Sequence, residues 1–184
     1  MNNEDKRQLV HVLVGVAALL LLFTVGRWWL LLCVFMILLV GSLFINRKMQ
    51  DKNIYVIDWF VKEFERKKVR FPGWGSACIA TGTLILVAYL QNPLEIAAIL
   101  LLLGISDALS TVVGINGHWT LPWNKKKTAE GSVAFFAGGL AGWLFVGQIM
   151  LPVAAVATLV ESIDSGIDDN LLVPIVCVVL FSVF

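Results

Sequence analysis

Charged residues are scarce in this chain of 184 residues. Asp, Glu, Lys and Arg make up 15% of it, whereas soluble domains contain about a quarter of such residues. Apolar residues make up 59%, and the mean hydropathy is +0.85. The composition therefore excludes an ordinary soluble domain and predicts a polytopic membrane protein. The net charge of +1 gives no indication of a nucleic-acid partner, and we expect none.

Several common sites are also missing. Cys33, Cys78 and Cys177 lie singly in apolar runs, without the spacing of a disulfide framework or a metal site, so we assign them no function. There is no Walker A loop, no G-x-G-x-x-G turn before a strand and no kinase H-R-D set, so a nucleotide enzyme here must have another design. No small-residue cleavage site follows residues 8–25, which we therefore interpret as a helix rather than a signal peptide.

Long apolar runs are what the chain has instead. A helix needs about 20 apolar residues to cross the hydrocarbon core. About seven runs are candidates: roughly residues 8–25, 28–46, 75–91, 94–113, 131–147, 149–163 and 171–184. The last three are short, which a small tilt or a thinned bilayer would accommodate. The sequence predicts an all-α, polytopic helical bundle that forms one membrane-embedded domain over residues 1–184.

The basic residues predict how this bundle is oriented. If the N-terminus is cytoplasmic, all 14 Lys and Arg residues except Arg27 fall on the cytoplasmic side, as the positive-inside rule requires. The acidic residues near span ends follow the same pattern, with Glu95 alone on the outer side. We therefore expect an integral protein of the cell membrane or endoplasmic reticulum type, with its chemistry on the cytoplasmic face.

Residues 47–72 predict a cytoplasmic linker helix of a different kind. Ile57, Phe60, Val61 and Phe64 recur at i, i+3, i+4 and i+7, so they form one apolar stripe beside charged faces. Such a helix lies in the membrane interface. It is either a linker that anchors to anionic head groups or a lid at a lipid entrance.

One acidic residue interrupts an apolar run, in the stretch LLLGISDALSTVVG at 101–114. Asp107, Ser110, Thr111 and Gly114 share one helical face. An ionisable side chain that faces lipid costs on the order of several kcal/mol, so this face is expected to point into the bundle or a wet cavity. Asp107 is then either a buried aspartate satisfied by hydroxyls or a lysine, or part of a functional site.

A lysine-rich loop follows, in GINGHWTLPWNKKKTAEGS at 114–132. Its composition predicts a cytoplasmic nucleotide loop over residues 114–130, with Thr128 as the cap of the next helix. Lysines and a helix start bind phosphate oxygens, while carboxylates such as Asp107 and Glu130 hold a metal ion, so the set suits a magnesium nucleotide. The alternative is that the three lysines only follow the positive-inside rule. Glu161, about one turn inside the boundary, is a further candidate, whereas Asp168 and Asp169 are taken to mark a loop.

Five stretches resemble the motifs of one family, in the same order. KRQLVHVLVG resembles its basic-x-x-His-x-x-x-Gly element, and RFPGWG its R-x-P-G-x-G turn. GISDALSTVVG is similar to G-D-x-x-A-x-x-x-G, PWNKKKTAEGS to P-x-x-x-K-(S/T)-x-E-G-(S/T), and VESIDSGIDDNLLVP to E-x(n)-D-N-x-x-x-P. The family is that of the CTP-dependent lipid and polyprenol kinases, namely dolichol kinase, phytol kinase and fungal-type diacylglycerol kinase. It is similar in turn to the phosphatidate cytidylyltransferases.

The resemblance implies transfer of the γ-phosphoryl group of CTP, with Mg²⁺, to the hydroxyl of a membrane lipid alcohol of the dolichol, polyprenol or diacylglycerol type. It implies that Asp107 binds Mg²⁺ or accepts the alcohol proton, that Lys127 binds phosphates, and that Glu130 contacts a second metal ion or a lysine. Glu161 is expected to be a third metal ligand, and His11 is expected to be a catalytic base, a phosphate contact or a structural residue. The nucleotide-binding residues implied are Arg7, Gly114, Asn124, Lys126, Lys127, Thr128, Gly131 and Ser132.

Two other functions fit the same residues. A cytidylyltransferase would also use CTP, but it would release pyrophosphate and form a CDP-lipid. A non-enzymatic membrane carrier or assembly protein would pair its buried acids with lysines across helices. The expected partners are CTP, a lipid alcohol and the bilayer. The identity of the lipid and a homo-oligomeric state stay open.

Overall fold

Helices make up most of the chain that the structure describes. The computed structural model describes residues 3–50, 55, 59 and 70–183. Its α-helices are α1 Asn3–Thr24, α2 Arg27–Met49, α3 Trp74–Tyr89, α4 Pro93–Leu101, α5 Asp107–Ile115, α6 Ala129–Gly139, α7 Trp143–Val146, α8 Met150–Ser162 and α9 Asp169–Val183. These described ranges contain no strand beyond an isolated antiparallel bridge between Thr120 and Thr128. The prediction of an all-α chain is confirmed.

Four helical stretches are long and apolar enough to cross a membrane: Lys6–Thr24, Arg27–Met49, Pro93–Ile115 and Ala129–Ser162. Helices α3 and α9 are apolar but shorter, with 16 and 15 residues. Helix length and composition thus support an integral membrane protein with four candidate spans, and they do not by themselves establish the expected seven. The stripe of Ile57, Phe60, Val61 and Phe64 lies outside the described residues, so the interfacial helix over 47–72 stays a prediction.

The last long stretch is a hairpin rather than one straight helix. Turns of 3₁₀ helix at Leu140–Gly142 and Gly147–Ile149 interrupt it, and Gly147 has a φ of 64°. A residue with a side chain rarely adopts that φ. The chain therefore reverses, and α8 packs back along α6. At this contact a Cβ on Gly139 would lie 3.2 Å from the Cβ of Ala154.

The centre of the bundle is the continuous helix made of α4, a π-helical turn at Leu102–Ser106, and α5. Asn92 caps its start, because the Asn92 side chain accepts a hydrogen bond from the Leu94 N–H at 3.0 Å. The next side chains are almost completely buried, as in Ile96, Ala97, Ala98, Ile99 and Leu100. Segments of π-helix are rare and are frequent at functional sites. This one ends immediately before Asp107.

Helices α1 and α2 form an outer surface of the bundle. Large apolar side chains on both are more than half exposed, among them Leu13, Leu20, Trp28, Ile37 and Leu43. An apolar surface of this extent is unfavourable in water and suits contact with lipid chains. Small residues bring α1 close to the central helix, where a Cβ on Gly15 would lie 3.5 Å from the Cα of Gly104, an ordinary van der Waals distance.

Side-chain contacts distinguish two ends of the bundle. At one end, His11 of α1 meets Asp107 of α5, and Lys127 before α6 meets Glu161 at the end of α8. At the opposite end, Phe23 of α1 stacks on Phe145 of α7 with ring centroids 5.8 Å apart. We call the first the charged end. The residues that the sequence predicts to be cytoplasmic and functional gather there.

Candidate functional site

A cavity of about 1000 Å³ opens at the charged end and extends between the helices. Its polar lining includes Arg7, Arg70, His11, Asp107, Lys127, Ser132, Glu161 and Asp169. Its apolar lining, which we call the apolar arm, includes Val14, Ala18 and Leu21 of α1, Leu30, Val34 and Ile37 of α2, and Ile79 and Ala80 of α3. On α1 the lining runs from Arg7 to Leu21, which at 1.5 Å per residue is about 21 Å of helix. One cavity therefore joins titratable groups to a long apolar channel.

His11 and Asp107 form a pair across two helices. The Nδ1 atom of His11 lies 3.2 Å from an Oδ2 oxygen of Asp107, and their side chains are 12% and 20% exposed. A carboxylate at Nδ1 fixes the orientation of the ring and favours the tautomer whose other nitrogen, Nε2, accepts a proton. Arg7 lies one turn before His11 and interacts electrostatically with Asp107. The pair lines the cavity on the side of the apolar arm.

Lys127 lies between two carboxylates. Its Nζ atom donates to Oε1 of Glu161 and to Oδ2 of Asp169, the latter at 2.9 Å. Burial opposes the charge of Lys127, but the two carboxylates outweigh it and raise the pKa of the lysine, so it stays protonated. Glu161 is only 2% exposed, and its second oxygen, Oε2, has no hydrogen-bond partner among the described residues. The Lys127 ammonium therefore contacts two acids, while 28% of its side chain stays exposed.

The lysine-rich loop is fastened to the end of α8 by several contacts. Asn124, 6% exposed, donates to the Ser162 carbonyl at 3.0 Å and accepts from the Lys126 N–H at 3.1 Å. The ring nitrogen of Trp123 donates to the Ser162 hydroxyl at 3.2 Å. Lys126 pairs with Asp164 at 2.7 Å and lowers the pKa of that carboxyl, but the pair is largely exposed. Asn124 thus uses its side chain for internal bonds, although it lines the cavity.

The start of α6 is capped as predicted. The Thr128 hydroxyl accepts from the Gly131 N–H at 3.2 Å, and the Ala129 N–H donates to the Trp119 carbonyl at 2.8 Å. These bonds occupy amides that an anion would otherwise use. Gly131 also crosses α5 closely, because a Cβ there would lie 3.1 Å from the Cα of Gly114. Ser132 lines the cavity, and its hydroxyl is buried without a partner among the described residues.

The three predicted metal ligands do not converge. Glu130 does not line the cavity; its carboxylate accepts from the N–H groups of His118 and Trp119 at 2.8 and 3.2 Å, which holds the loop. Asp107 is paired with His11, and Glu161 is in the separate Lys127 cluster. Within the part of the chain that the structure describes, no three His, Cys, Asp or Glu side chains are placed to hold a metal ion.

A magnesium nucleotide needs fewer protein ligands than a metal site built by protein alone. Mg²⁺ is commonly held by one or two carboxylates together with phosphate oxygens and water. Glu161 and Asp169 meet that requirement, since both line the cavity and both are directed at one point, the Lys127 ammonium. The partnerless Oε2 of Glu161 adds a buried oxygen. The donor set therefore fits Mg²⁺ bound with phosphates.

Two contributors to the charged end were not assigned a role from the sequence. Asp169 was taken to mark a loop, but it begins α9 and binds Lys127. Arg70 donates to the Gly166 carbonyl at 2.9 Å and so joins the start of α3 to the loop before α9. The D-N pair of the closing motif was a signal for Asp169. No spacing signal connects positions 70 and 166.

No protein-family model matches this chain, and no solved structure matches it. The uncharacterized protein MJ1137 of Methanocaldococcus jannaschii is similar to it, with 29% identity over 113 residues. That match covers 60% of this chain and 59% of the relative, so the chain matches less than two thirds of the relative's length. The name of the relative gives no activity. The functional argument therefore depends on the side chains of the cavity.

Proposed function

We propose that this protein is a membrane-embedded phosphotransferase that uses CTP to phosphorylate the hydroxyl of a lipid alcohol. The observation that carries the proposal is the single cavity that joins an acid–base pair and a lysine cluster to an apolar arm. A carrier would need no such histidine beside an oriented carboxylate. The choice of CTP as the nucleotide comes from the motif resemblance, because the lining residues that the structure describes do not identify a base.

The apolar arm suits one leaflet of lipid. From His11 to Leu21, α1 lines the arm over about 15 Å, which is half of the roughly 30 Å hydrocarbon core. A lipid whose chain lies along α1, α2 and α3 would therefore place its hydroxyl at the level of His11 and Asp107. Because the lining of the arm is aliphatic, it would accept a hydrocarbon chain without specifying its chemical type.

His11 would act as the general base. Its Nε2 atom accepts the proton of the lipid hydroxyl while that oxygen forms a bond to the γ-phosphorus of CTP. The bond between the γ-phosphorus and the bridging oxygen breaks, so CDP leaves and a lipid phosphate forms. Asp107 holds the His11 ring in place and stabilises the imidazolium that results. Such transfers depend mainly on positioning and charge neutralisation, which side chains supply without covalent participation.

The lysine cluster would receive the phosphates. Lys127 and Arg7 supply positive charge, and the Ser132 hydroxyl supplies a buried donor that has no other described partner. When bound, Mg²⁺ neutralises charge on the β- and γ-phosphoryl oxygens, and Glu161 and Asp169 are the residues that would hold it. Glu130 is not part of this proposal, because its carboxylate holds the loop at His118 and Trp119.

The proposed topology has seven crossings and a cytoplasmic N-terminus, with α6–α7 and α8 as two separate crossings. It places the charged end in the cytoplasm, where CTP is available. The test is cysteine labelling in a variant whose own three cysteines are replaced. A cysteine at Lys125 should react only with reagent on the cytoplasmic side, and one at Gln91 only with reagent on the outer side. The reverse pattern would contradict the orientation.

The decisive experiment follows the label of CTP. Purified protein in detergent, with Mg²⁺ and a panel of polyprenols and diacylglycerols, is given CTP labelled at either the γ- or the α-phosphate. A kinase transfers the γ-label to the lipid and releases CDP. A lipid phosphate is then supplied as the acceptor, and transfer of the α-label with pyrophosphate release would show a cytidylyltransferase instead. If neither label reaches lipid and no nucleotide raises the melting temperature, the proposal is wrong and a non-enzymatic role is favoured.

A further inference from the structure

The charge of the Lys127 cluster is unbalanced. Two carboxylates, those of Glu161 and Asp169, share one ammonium group. Glu161 is almost completely buried and lines the cavity, and its Oε2 atom has no hydrogen-bond partner among the described residues. An excess negative charge at a buried site is costly unless a bound proton or a further cation compensates it. The cluster therefore has room, in charge and in free ligand atoms, for more positive charge than Lys127 supplies.

The Lys127 ammonium is itself a cation, and it marks the point at which the two carboxylates bind positive charge. Lys127 Nζ contacts one oxygen from each acid, so the two side chains already converge on a single point at the cavity wall. A divalent ion at that point would neutralise both carboxylates, so they would no longer need the Lys127 ammonium. The lysine has a flexible stem and is 28% exposed, so its ammonium can turn from the acids into the cavity.

We propose that Lys127 is a displaceable internal cation, which occupies the divalent-metal position of Glu161 and Asp169 until a metal ion arrives and releases it toward the phosphates. This inference rests on the proposed function for the identity of the anion that receives the lysine. The exchange itself requires only the metal, whose remaining ligands are water molecules when no phosphate is present. It predicts that Lys127 and a divalent cation compete, so that removing the lysine strengthens metal binding.

The chain offers a matched pair of ion pairs for the test. Lys126 precedes Lys127, and Asp164 lies in the loop before α9, but these two residues pair with each other outside the cluster. Binding of Mn²⁺ alone is measured by electron paramagnetic resonance, without nucleotide or lipid. Lys127→Met should bind Mn²⁺ at least about tenfold more tightly than the unchanged protein, because the Lys127 ammonium no longer competes for the two carboxylates through charge-assisted hydrogen bonds. Lys126→Met should bind it as the unchanged protein does.

A second variant covers the case in which Lys127→Met does not fold. Asp169→Asn removes one ligand from a partly exposed position and should weaken Mn²⁺ binding about tenfold or more, whereas Asp164→Asn should not. Folding is checked by size-exclusion chromatography and circular dichroism. Equal or weaker Mn²⁺ binding by folded Lys127→Met, or unchanged binding by Asp169→Asn, overturns the inference. Because no nucleotide is present, a protein that meets both expectations but transfers no phosphate contradicts the proposed function alone.

Discussion

Replacing Asp107 by Asn tests the acid–base pair most directly. The substitution keeps the size of the side chain but removes the negative charge beside His11. An amide also permits the wrong imidazole tautomer, because its nitrogen can donate to Nδ1 instead of its oxygen accepting from it. The proposed base would then be present but incorrectly oriented and less able to take up a proton. We expect the turnover number to fall, with a much smaller change in the KM for CTP.

The size of the loss follows from the geometry of the pair. Two full charges 3.2 Å apart interact by about 5 kcal/mol at an effective dielectric constant of about 20. That value ignores the solvent in the adjoining cavity, so a charge-assisted hydrogen bond of about 1.5–3 kcal/mol is the better guide. At about 1.4 kcal/mol per tenfold change in rate, the turnover number should fall roughly 10- to 150-fold.

The assay is γ-phosphoryl transfer from CTP to the best lipid of the panel, by folded protein in detergent. Glu95→Gln is the matched control, since this acid-to-amide change lies at the opposite end, where Glu95 accepts a hydrogen bond from the Asn92 side chain at 3.1 Å. His11→Gln and the double variant complete a cycle. Residues that act as one unit give a double variant no worse than the poorer single variant. Full activity of Asp107→Asn would refute the role of the His11–Asp107 pair. Losses of turnover that multiply in the double variant would refute it too, because the two residues would then act independently.

The remaining predictions concern stability, measured as thermal unfolding in detergent. Gly82→Ala should destabilise the protein by about 1–3 kcal/mol, because its Cβ would collide with the Asn170 carbonyl oxygen at the contact of α3 with α9. The control is Gly41→Ala, whose Cβ meets nothing within 4 Å and which should not destabilise the protein. Equal melting temperatures of the two variants would contradict the close contact of α3 with α9. Asn124→Ala should cost about 1–3 kcal/mol, because the Ser162 carbonyl and the Lys126 N–H lose a buried partner. Asn116→Ala, which loses one exposed hydrogen bond, should cost much less stability. An equal loss of stability in the two variants would contradict the role of Asn124 in holding the loop to α8.

Apolar run length predicted most of the helices because each run is a local property. The expected span at 28–46 is found as Arg27–Met49, and that at 94–113 as the continuous stretch Pro93–Ile115. The breaks were harder to foresee. The expected span at 131–147 contains a 3₁₀ turn after Gly139. The π-helical turn before Asp107 packs against α1 and α6, and no local pattern records these contacts.

The candidate site was predictable in its residue types but not in its pairings. Helical spacing predicted a polar face that contains Asp107, and the motif resemblance made His11 and Lys127 candidates. That His11 meets Asp107, while Lys127 meets Glu161 and Asp169, depends on how α1 and α8 cross the centre of the bundle. Glu130 illustrates the same limit. Its position beside the lysines suggested a metal, whereas the fold of the loop gives its carboxylate two backbone N–H groups.

In the hairpin of α6 and α8, the relative register of the two helices determines whether an ion pair can form. Lys127 precedes one arm and Glu161 ends the other, so the pair closes the open end of the hairpin while Gly147 turns it at the far end. One residue inserted within α8 would rotate Glu161 by about 100° and move it by about 1.5 Å. The acid would then leave the lysine, and an unneutralised carboxylate would face apolar surroundings. The ion pair therefore penalises any packing of α6 against α8 in which the two arms are out of register.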